Sequence, residues 1–513
     1  MIRGSVMSGE FSDGYKYRGH LWFAKRPGIG RLMEAIAPDY EKALKGWDGA
    51  PPYQAYHMFD KAHVVMLTEQ GIIPREDGVE ILRAFRRMED EGVVEARVRV
   101  GGEDHSGEAY LITELGWEVG GRIHVGRSTG DLRTTSMHIV QRSYILDAMD
   151  ALLDARDAMV DFAERHVETV TPMYSAGLTV YGSCNLLQHA QVMTLGYYIM
   201  GFVNQLEREF KKLEAAYELM QISPAGSAIG TGTDVPGFSR RRTMELLGFT
   251  DLYRNCYDAE KHEGYALDSY AVLLTLSHVI SGLFFDLLIY STGEFGLVEP
   301  ADRYCDTSSI MPQKKNPMAL RWMADLTVNV KARLLEARND VGMQKSWVDV
   351  INGLRMIPGI FETLKVNEKR SLELASGFWG GAADLAAAIM EEKGLPWRTA
   401  HQIVATLVRV ALSEGVKPGE VTGEYLDRAA EMYPDYGRPL GLSDEAIRAA
   451  MDPRGMVNRR TLVGGPAPVR VREEIGVSRE LLVRERSEVE ARRRAQAEAA
   501  EGLERAIDAW IAT

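Results

Sequence analysis

From Tyr270 to Tyr290 the chain is apolar almost all the way round a helix, interrupted by His278, Ser281, Gly282 and Asp286. Two settings stabilise such a helix: the centre of a large bundle, buried on every side, or a bilayer. The stretch is nearly long enough to span a membrane, but its polar interruptions and the lack of a basic flank after it favour the bundle. Further amphipathic patterns supply neighbours. Ile145, Met149, Leu152, Leu153, Met159, Val160 and Ala163 recur at helical spacing, as do Ile199, Phe202, Leu206, Phe210 and Leu213. A fourth pattern runs from Pro317 to about Arg338. Helices this long with little strand signal between them predict an all-α fold built on an elongated bundle.

At 513 residues the chain exceeds what one core can hold and should divide into two or three domains. Residues 1–20 read as a poorly ordered, glycine-rich arm. From about Leu32 to Glu91 the pattern is of helices broken by Pro38, Pro51, Pro52 and Pro74. Beyond about Arg370 the elements shorten, and from Ser478 a charged Arg/Glu/Ala-rich helix reads as solvated or partner-facing. A net charge of −13, with both signs interspersed, argues against nucleic acid or an anionic membrane as partner. Cys184, Cys256 and Cys305, an odd number without metal-ligand spacing, fit a reducing cytoplasm rather than a disulfide framework. The first residues lack the pattern of a signal peptide. No metal or cofactor is implied: the histidines lack ligand spacing, and no phosphate loop follows a strand.

The segment Thr307-Ser308-Ser309-Ile310-Met311-Pro312-Gln313-Lys314-Lys315-Asn316-Pro317 breaks this helical pattern. Its prolines fix φ at their own positions and push their neighbours away from helix. Packing does not account for a run of hydroxyls, two ammonium groups and an amide. Cations and backbone N–H groups can hold a carboxylate whose charge is growing, while a nearby hydroxyl takes a proton from the adjacent carbon.

This loop resembles the Gly-Ser-Ser-x-Met-Pro-x-Lys-x-Asn-Pro signature of the fumarase/aspartase superfamily, with Thr307 in place of the glycine. Met-Pro-Gln-Lys-Lys-Asn-Pro is similar to the argininosuccinate lyase branch. The resemblance runs from about Ala62-His63 to Ala467. It implies three mostly helical domains, here 1–125, 126–370 with the catalytic loop at 305–318, and 371–513 with the charged terminal helix. It also implies a homotetramer with a twenty-helix core and active sites shared between subunits. On the loop, it makes Ser308 the base that takes the Cβ proton of a succinyl group. Lys314 and Asn316 would hold the resulting aci-carboxylate, with Ser309 and Met311 lining the site; Lys315 reads as a solvated charge.

Other segments carry the resemblance in order. Gly126-Arg127-Ser128-Thr129-Gly130-Asp131 is similar to the family's Gly-Arg-Ser-Arg-Asn-Asp, which grips the fumarate-derived half. Ser128 carries over, whereas Thr129 and Gly130 replace the arginine and asparagine, and Gly130 is either a close backbone approach to an oxyanion or a turn residue. His105 and His124 keep the family's spacing and read as structural. Ser227 to Thr233 resembles a pocket-lining turn, with Thr231 in it and Arg240 following near the succinyl group. Asn185-Leu186-Leu187-Gln188-His189 aligns with Thr-His-Leu-Gln-Pro, so Leu186 stands where the family has its acid histidine, while Asn185 and Gln188 remain substrate contacts. Arg321 stands where that histidine's glutamate partner would be. His189 is the candidate substitute acid. Arg338 to Ser346, the counterpart of the segment that grips the arginine half, keeps Asn339, Met343 and Gln344.

Loss of both acid partners has a chemical meaning. A guanidine or hydroxide needs a proton delivered as it leaves, whereas an alkylamine of pKa about 10 is already an ammonium at neutral pH. The leading expectation is therefore a lyase that cleaves an N-substituted aspartate to fumarate and an amine, reversibly, with ethylenediamine-disuccinate-type aminocarboxylates as one substrate class. The alternatives are an argininosuccinate lyase with a rebuilt acid, a nitrosuccinate-type lyase releasing nitrite, and a non-catalytic crystallin-like structural protein.

Overall fold

The computed structural model describes residues 52–512 apart from 180–181, 262–263, 312 and 337–339, and gives the backbone alone for the remaining residues of 175–187, 261 and 335–342. The glycine-rich arm and the helices expected before Pro52 lie outside the described residues.

Prolines set the first boundaries, because a ring without N–H is tolerated at a helix start and not inside. Pro52 precedes α1 (Tyr53–Glu69) and Pro74 precedes α2 (Arg75–Glu91). With α3 (Val93–Arg99) and α4 (Ser106–Leu115) these enclose a core containing Phe59, Met66, Leu82 and Phe85. Inside it, Asp60 accepts hydrogen bonds from Arg97 and Arg127, each at 2.5 Å, and all three side chains are buried. Burial alone would raise the Asp60 carboxyl, but Arg127 and Arg97 hold it below its ordinary value.

The long bundle follows. α5 (Thr129–Arg165, 37 residues) buries Ile145, Met149, Leu152, Leu153, Met159 and Val160, the stripe expected from their spacing. A β-hairpin then interrupts the helices: β1 (Val170–Thr179) pairs antiparallel with β2 (Gly182–Thr194), aligning Tyr174 with His189. α6 (Leu195–Met220), α7 (Arg240–Leu246) and α8 (Cys256–Lys261) lead to α9 (Gly264–Tyr290). By length and composition α9 could cross a membrane, yet two of its polar interruptions, Ser281 and Asp286, have partners within the bundle. Asp286 accepts from the Tyr198 hydroxyl at 2.7 Å. Ser281 Oγ donates to the Met323 carbonyl and accepts from the Thr327 backbone N–H.

That serine bridges a break that the helical pattern after Pro317 did not show. The signature segment forms the short pair β3 (Asp306–Thr307) and β4 (Lys315–Asn316), and the chain continues as α10 (Met318–Ala324) and α11 (Leu326–Glu336) rather than one helix. α12 (Asp340–Thr363) completes the bundle and includes most of the segment expected to grip the leaving group.

The shorter helices α13 (Glu368–Gly377), α14 (Ala382–Lys393), α15 (Trp397–Glu414), α16 (Gly423–Met432), α17 (Asp444–Met451) and α18 (Pro453–Arg459) come next. Leu385, Ile403, Leu407, Leu426 and Ile447 form a separate core among them. α19 (Pro468–Ile511, 44 residues) then runs back along α5 and α6. It begins ten residues before the charged stretch read from the sequence, and one face is not solvated. Val471, Ile475, Leu482 and Val489 join the bundle core, Leu503 and Ile507 the N-terminal core. Its arginines meet α5 in register: Arg479 pairs with Asp161 and Glu164, Arg486 with Asp154, and Arg493 with Asp147.

Candidate active site

The sequence-chosen residues fall into three places within one chain. The first is the foot of α5. Ser128, in extended conformation, precedes the helix and makes no side-chain cap hydrogen bond, so its hydroxyl is not committed to the helix end. Thr129 Oγ1 lies 2.8 Å from His105 Nε2. Gly130 is neither a turn residue nor an open backbone cradle. It sits in the first helical turn, and a Cβ there would lie 1.8 Å from Glu260 Oε1. The glycine makes room for a carboxylate from α8 that the sequence did not bring into the site. Next to it, buried Asp131 accepts from the Gly226 backbone N–H at 2.9 Å. Burial pushes the Asp131 carboxyl up to about 7, against the pull of Arg127 and Gly226 and helped by Glu260.

Thr231 is exposed in a turn whose neighbours Ala228, Gly230 and Gly232 have φ of 51°, 97° and 68°. Arg240 reaches this turn from α7, with Nε donating to the Ala225 carbonyl at 2.9 Å and Nη1 to that of Tyr253 at 3.1 Å, while Nη2 is buried without a hydrogen-bond partner among the described residues. His105 and His124 meet across Glu108, whose Oε2 is 2.8 Å from His124 Nδ1 and 3.9 Å from His105 Nδ1.

The second place is the signature loop. Ser308 Oγ accepts from the backbone N–H groups of Met311 at 3.1 Å and Ile310 at 3.4 Å, an arrangement that favours negative charge on that oxygen. Ser309, Met311 and Lys314 are exposed, and Asn316 is half-buried on β4. Lys315 is not the solvated charge expected: Nζ lies 2.8 Å from both Glu299 and Asp302 and staples the loop to the bundle. Arg321 is exposed on α10, with Nε donating to Asp325 at 2.7 Å.

The third place is β2. Asn185 and Leu186 lie on it, with side chains outside the described residues, and Gln188 is exposed. The His189 ring stacks on Phe378 with centroids 3.4 Å apart, and Tyr174 lies against it at 4.7 Å. Burial lowers the His189 pKa. Phe378 also lines a cavity of about 310 Å³ with Met451 and Met456, which contains none of the sequence-chosen residues. Gln344 joins none of the three places. It is buried in the bundle, its amide 3.7 Å from Met137 Sδ, and Met343 is buried too, its Sδ accepting from Gln141. Asn339 lies outside the described residues.

The foot of α5 and the signature loop stand at opposite ends of the bundle. Arg165, at the far end of α5, donates to the Phe361 carbonyl, and Thr169 just beyond donates to Glu368. Lys365–Val366 pairs with Val298–Glu299, and Glu299 holds Lys315. A helix of 37 residues is about 55 Å long, so one chain cannot bring Ser128 to Ser308.

Residues 67–331 match a lyase family and residues 380–458 match an argininosuccinate lyase C-terminal family. The argininosuccinate lyase of Methanocaldococcus jannaschii is 34% identical over 482 residues, covering 90% of this chain and 95% of that one. That of Methanothermobacter thermautotrophicus is 33% identical, covering 84% and 94%. The chain belongs to the argininosuccinate lyase branch of the fumarase/aspartase superfamily. Among solved structures it is similar to EDDS lyase in complex with formate, with a TM-score of 0.84 at 25% identity over 100% of this chain and 98% of that one. A class II fumarase from Schistosoma mansoni shares the fold, with a TM-score of 0.59 at 13% identity over 82% and 94% of the two chains. As a member of this branch the protein is a fumarate-releasing carbon–nitrogen lyase.

Proposed function

We propose that this lyase cleaves the C–N bond of an N-substituted aspartate whose amine leaves without a general acid. Ser308 Oγ, as alkoxide, takes the Cβ proton, and the carbanion's charge spreads into the neighbouring carboxylate, held by Lys314 and Asn316. The electron pair then forms the Cα–Cβ double bond of fumarate, and the C–N bond breaks with its electrons going to nitrogen. Ser128, Thr129 and Thr231, with Ser309 and Met311, contact the succinyl half. The two N–H groups converging on Ser308 Oγ are the observation that carries this reading, because they stabilise the oxygen in its basic form.

Direct departure of the amine is supported by the state of the two groups that the sequence offers in place of the missing acid pair. Arg321 cannot donate a proton at neutral pH and is paired with Asp325. His189, the substitute imidazole, is lowered by burial and packed between Tyr174 and Phe378, so at neutral pH it is not a charged donor. Because α5, about 55 Å long, separates Ser128 from the end of the bundle that holds the Ser308 loop, this reading assembles the working site between subunits of a homotetramer. Exposed Leu267 and Phe285 on α9 and Val328 on α11 supply apolar surface for that assembly. A soluble cytoplasmic enzyme acting on small polycarboxylates fits the acidic body.

A second reading, argininosuccinate cleavage with a rebuilt acid, draws on the 34% identity to an enzyme of that name. Fumarate absorbance across N-alkylaspartates, ethylenediamine-disuccinate, argininosuccinate and nitrosuccinate separates the readings. The proposal expects N-alkylaspartates to react and argininosuccinate to lag by orders of magnitude. Efficient turnover of argininosuccinate that is lost in His189→Ala would replace it with the second reading.

A further inference from the structure

The cluster at His105, Glu108 and His124 is drawn together from two segments and has no part in the elimination described above. His105 immediately precedes α4 and Glu108 lies in its first turn, three residues on, so both face the same way. His124 comes from the turn after Trp117–Gly120 and closes over them, its ring centroid 5.0 Å from that of His105. One ligand atom from each residue lies within 4.8 Å of the others. We propose that these three side chains form a binding site for a divalent transition-metal ion of the zinc, cobalt or nickel kind, at the foot of α5.

The donor set selects that class. Two imidazoles and one carboxylate suit zinc and its neighbours, whereas calcium and magnesium call for oxygen donors throughout. A tetrahedral ion held at about 2.1 Å needs donors roughly 3.5 Å apart. Glu108 Oε2 already lies 2.8 Å from His124 Nδ1 and 3.9 Å from His105 Nδ1, so a small rotation of the half-exposed His124 ring closes the triangle.

His105 is oriented for this role. Its Nε2 side is taken by Thr129 Oγ1 at 2.8 Å, while Nδ1 is buried, faces Glu108 and has no hydrogen-bond partner among the described residues. With Nε2–H donating to the threonine, the Nδ1 lone pair points at the ion, the arrangement by which an outer hydrogen bond fixes a ligand's tautomer. Arg127 is paired with Asp60, which it shares with Arg97. Glu108 and His105 are 19% and 29% exposed, which leaves solvent access, and three protein donors leave a coordination position for water or another ligand.

The test uses the tag-free full chain, stripped with chelator and titrated with cobalt(II) by visible absorption and with zinc(II) by calorimetry. One ion per chain is expected, with the intense visible bands of low-coordinate cobalt. His124→Ala, which alters an exposed ring and leaves the packing intact, and Glu108→Gln should each weaken binding by at least ~10-fold. Absence of saturable binding, or binding unchanged in both variants, would overturn the proposal whatever the enzyme's substrate proves to be.

Discussion

At the scale of single residues, the chemistry is concentrated where the backbone leaves helix. Ser308 is the base proposed for carbon, so Ser308→Ala should lower turnover by at least ~10³-fold while circular dichroism stays unchanged. Lys314→Ala removes a charge from the growing carboxylate and should cost about 10²–10³-fold in kcat, as loss of an oxyanion donor does. These residues were legible because a contiguous run of hydroxyls, cations and prolines has no packing explanation. Glu260, Lys315 and the His105–Glu108–His124 cluster were not, since each acquires its role from a partner on another segment. Asp131 carries a pH signature of its own. Its folded pKa of about 7 lies above the ordinary 3.8, so the folded state keeps a proton that the unfolded chain releases. The protonated form's advantage is present at low pH and is lost as pH rises from about 4 to 7. Asp131→Asn retains an acceptor for Gly226 and removes the titration. Its thermal midpoint relative to the parent should therefore rise across that window and level off above it; a flat difference would contradict the assignment.

Elements were legible in proportion to their periodicity. The stripes of α5 and α6 repeat over many turns, and the structure buries them where the spacing put them, Phe202 in part, whereas α9 keeps Leu267 and Phe285 exposed. The β1–β2 hairpin was not read from the sequence, and its first strand carries Pro172 and Gly177, residues disfavoured in strands. In a two-stranded sheet both strands are edges, and there a proline costs no ladder bond that another strand needs. The break between α10 and α11 was hidden for a different reason: Ser281 of α9 satisfies the freed backbone, and no local signal marks it. α19 shows how a charged helix can be held without being solvated. Arg156 of α5 and Glu485 of α19 form an ion pair, both buried, inside the row of exposed pairs. Glu485→Gln leaves a guanidinium buried without its main counter-charge and should cost roughly 3–5 kcal/mol, read from chemical denaturation, whereas the exposed pair lost in Arg486→Ala should cost under about 1 kcal/mol. Equal effects from the two would show that burial does not govern how α19 is attached.

At the scale of the whole molecule, one chain carries the foot of α5 and the signature loop at opposite ends of the bundle. Nothing in the periodicity of a helix says which end must meet which, so this separation emerged only from the structure. Assembly into the proposed tetramer would cover the exposed apolar residues on α9 and α11, and light scattering at micromolar concentration should report four chains. The decisive measurement mixes two disabled enzymes. Ser308→Ala lacks the base and Ser128→Ala lacks a hydroxyl of the succinyl cradle, so each alone should be nearly inactive on the best N-alkylaspartate. Unfolding and refolding them together should restore a measurable fraction of wild-type fumarate release, because some mixed tetramers contain a site with an intact Ser308 from one chain and an intact Ser128 from another. Mixed tetramers seen by native mass spectrometry with activity no higher than either parent would contradict a centre shared between subunits.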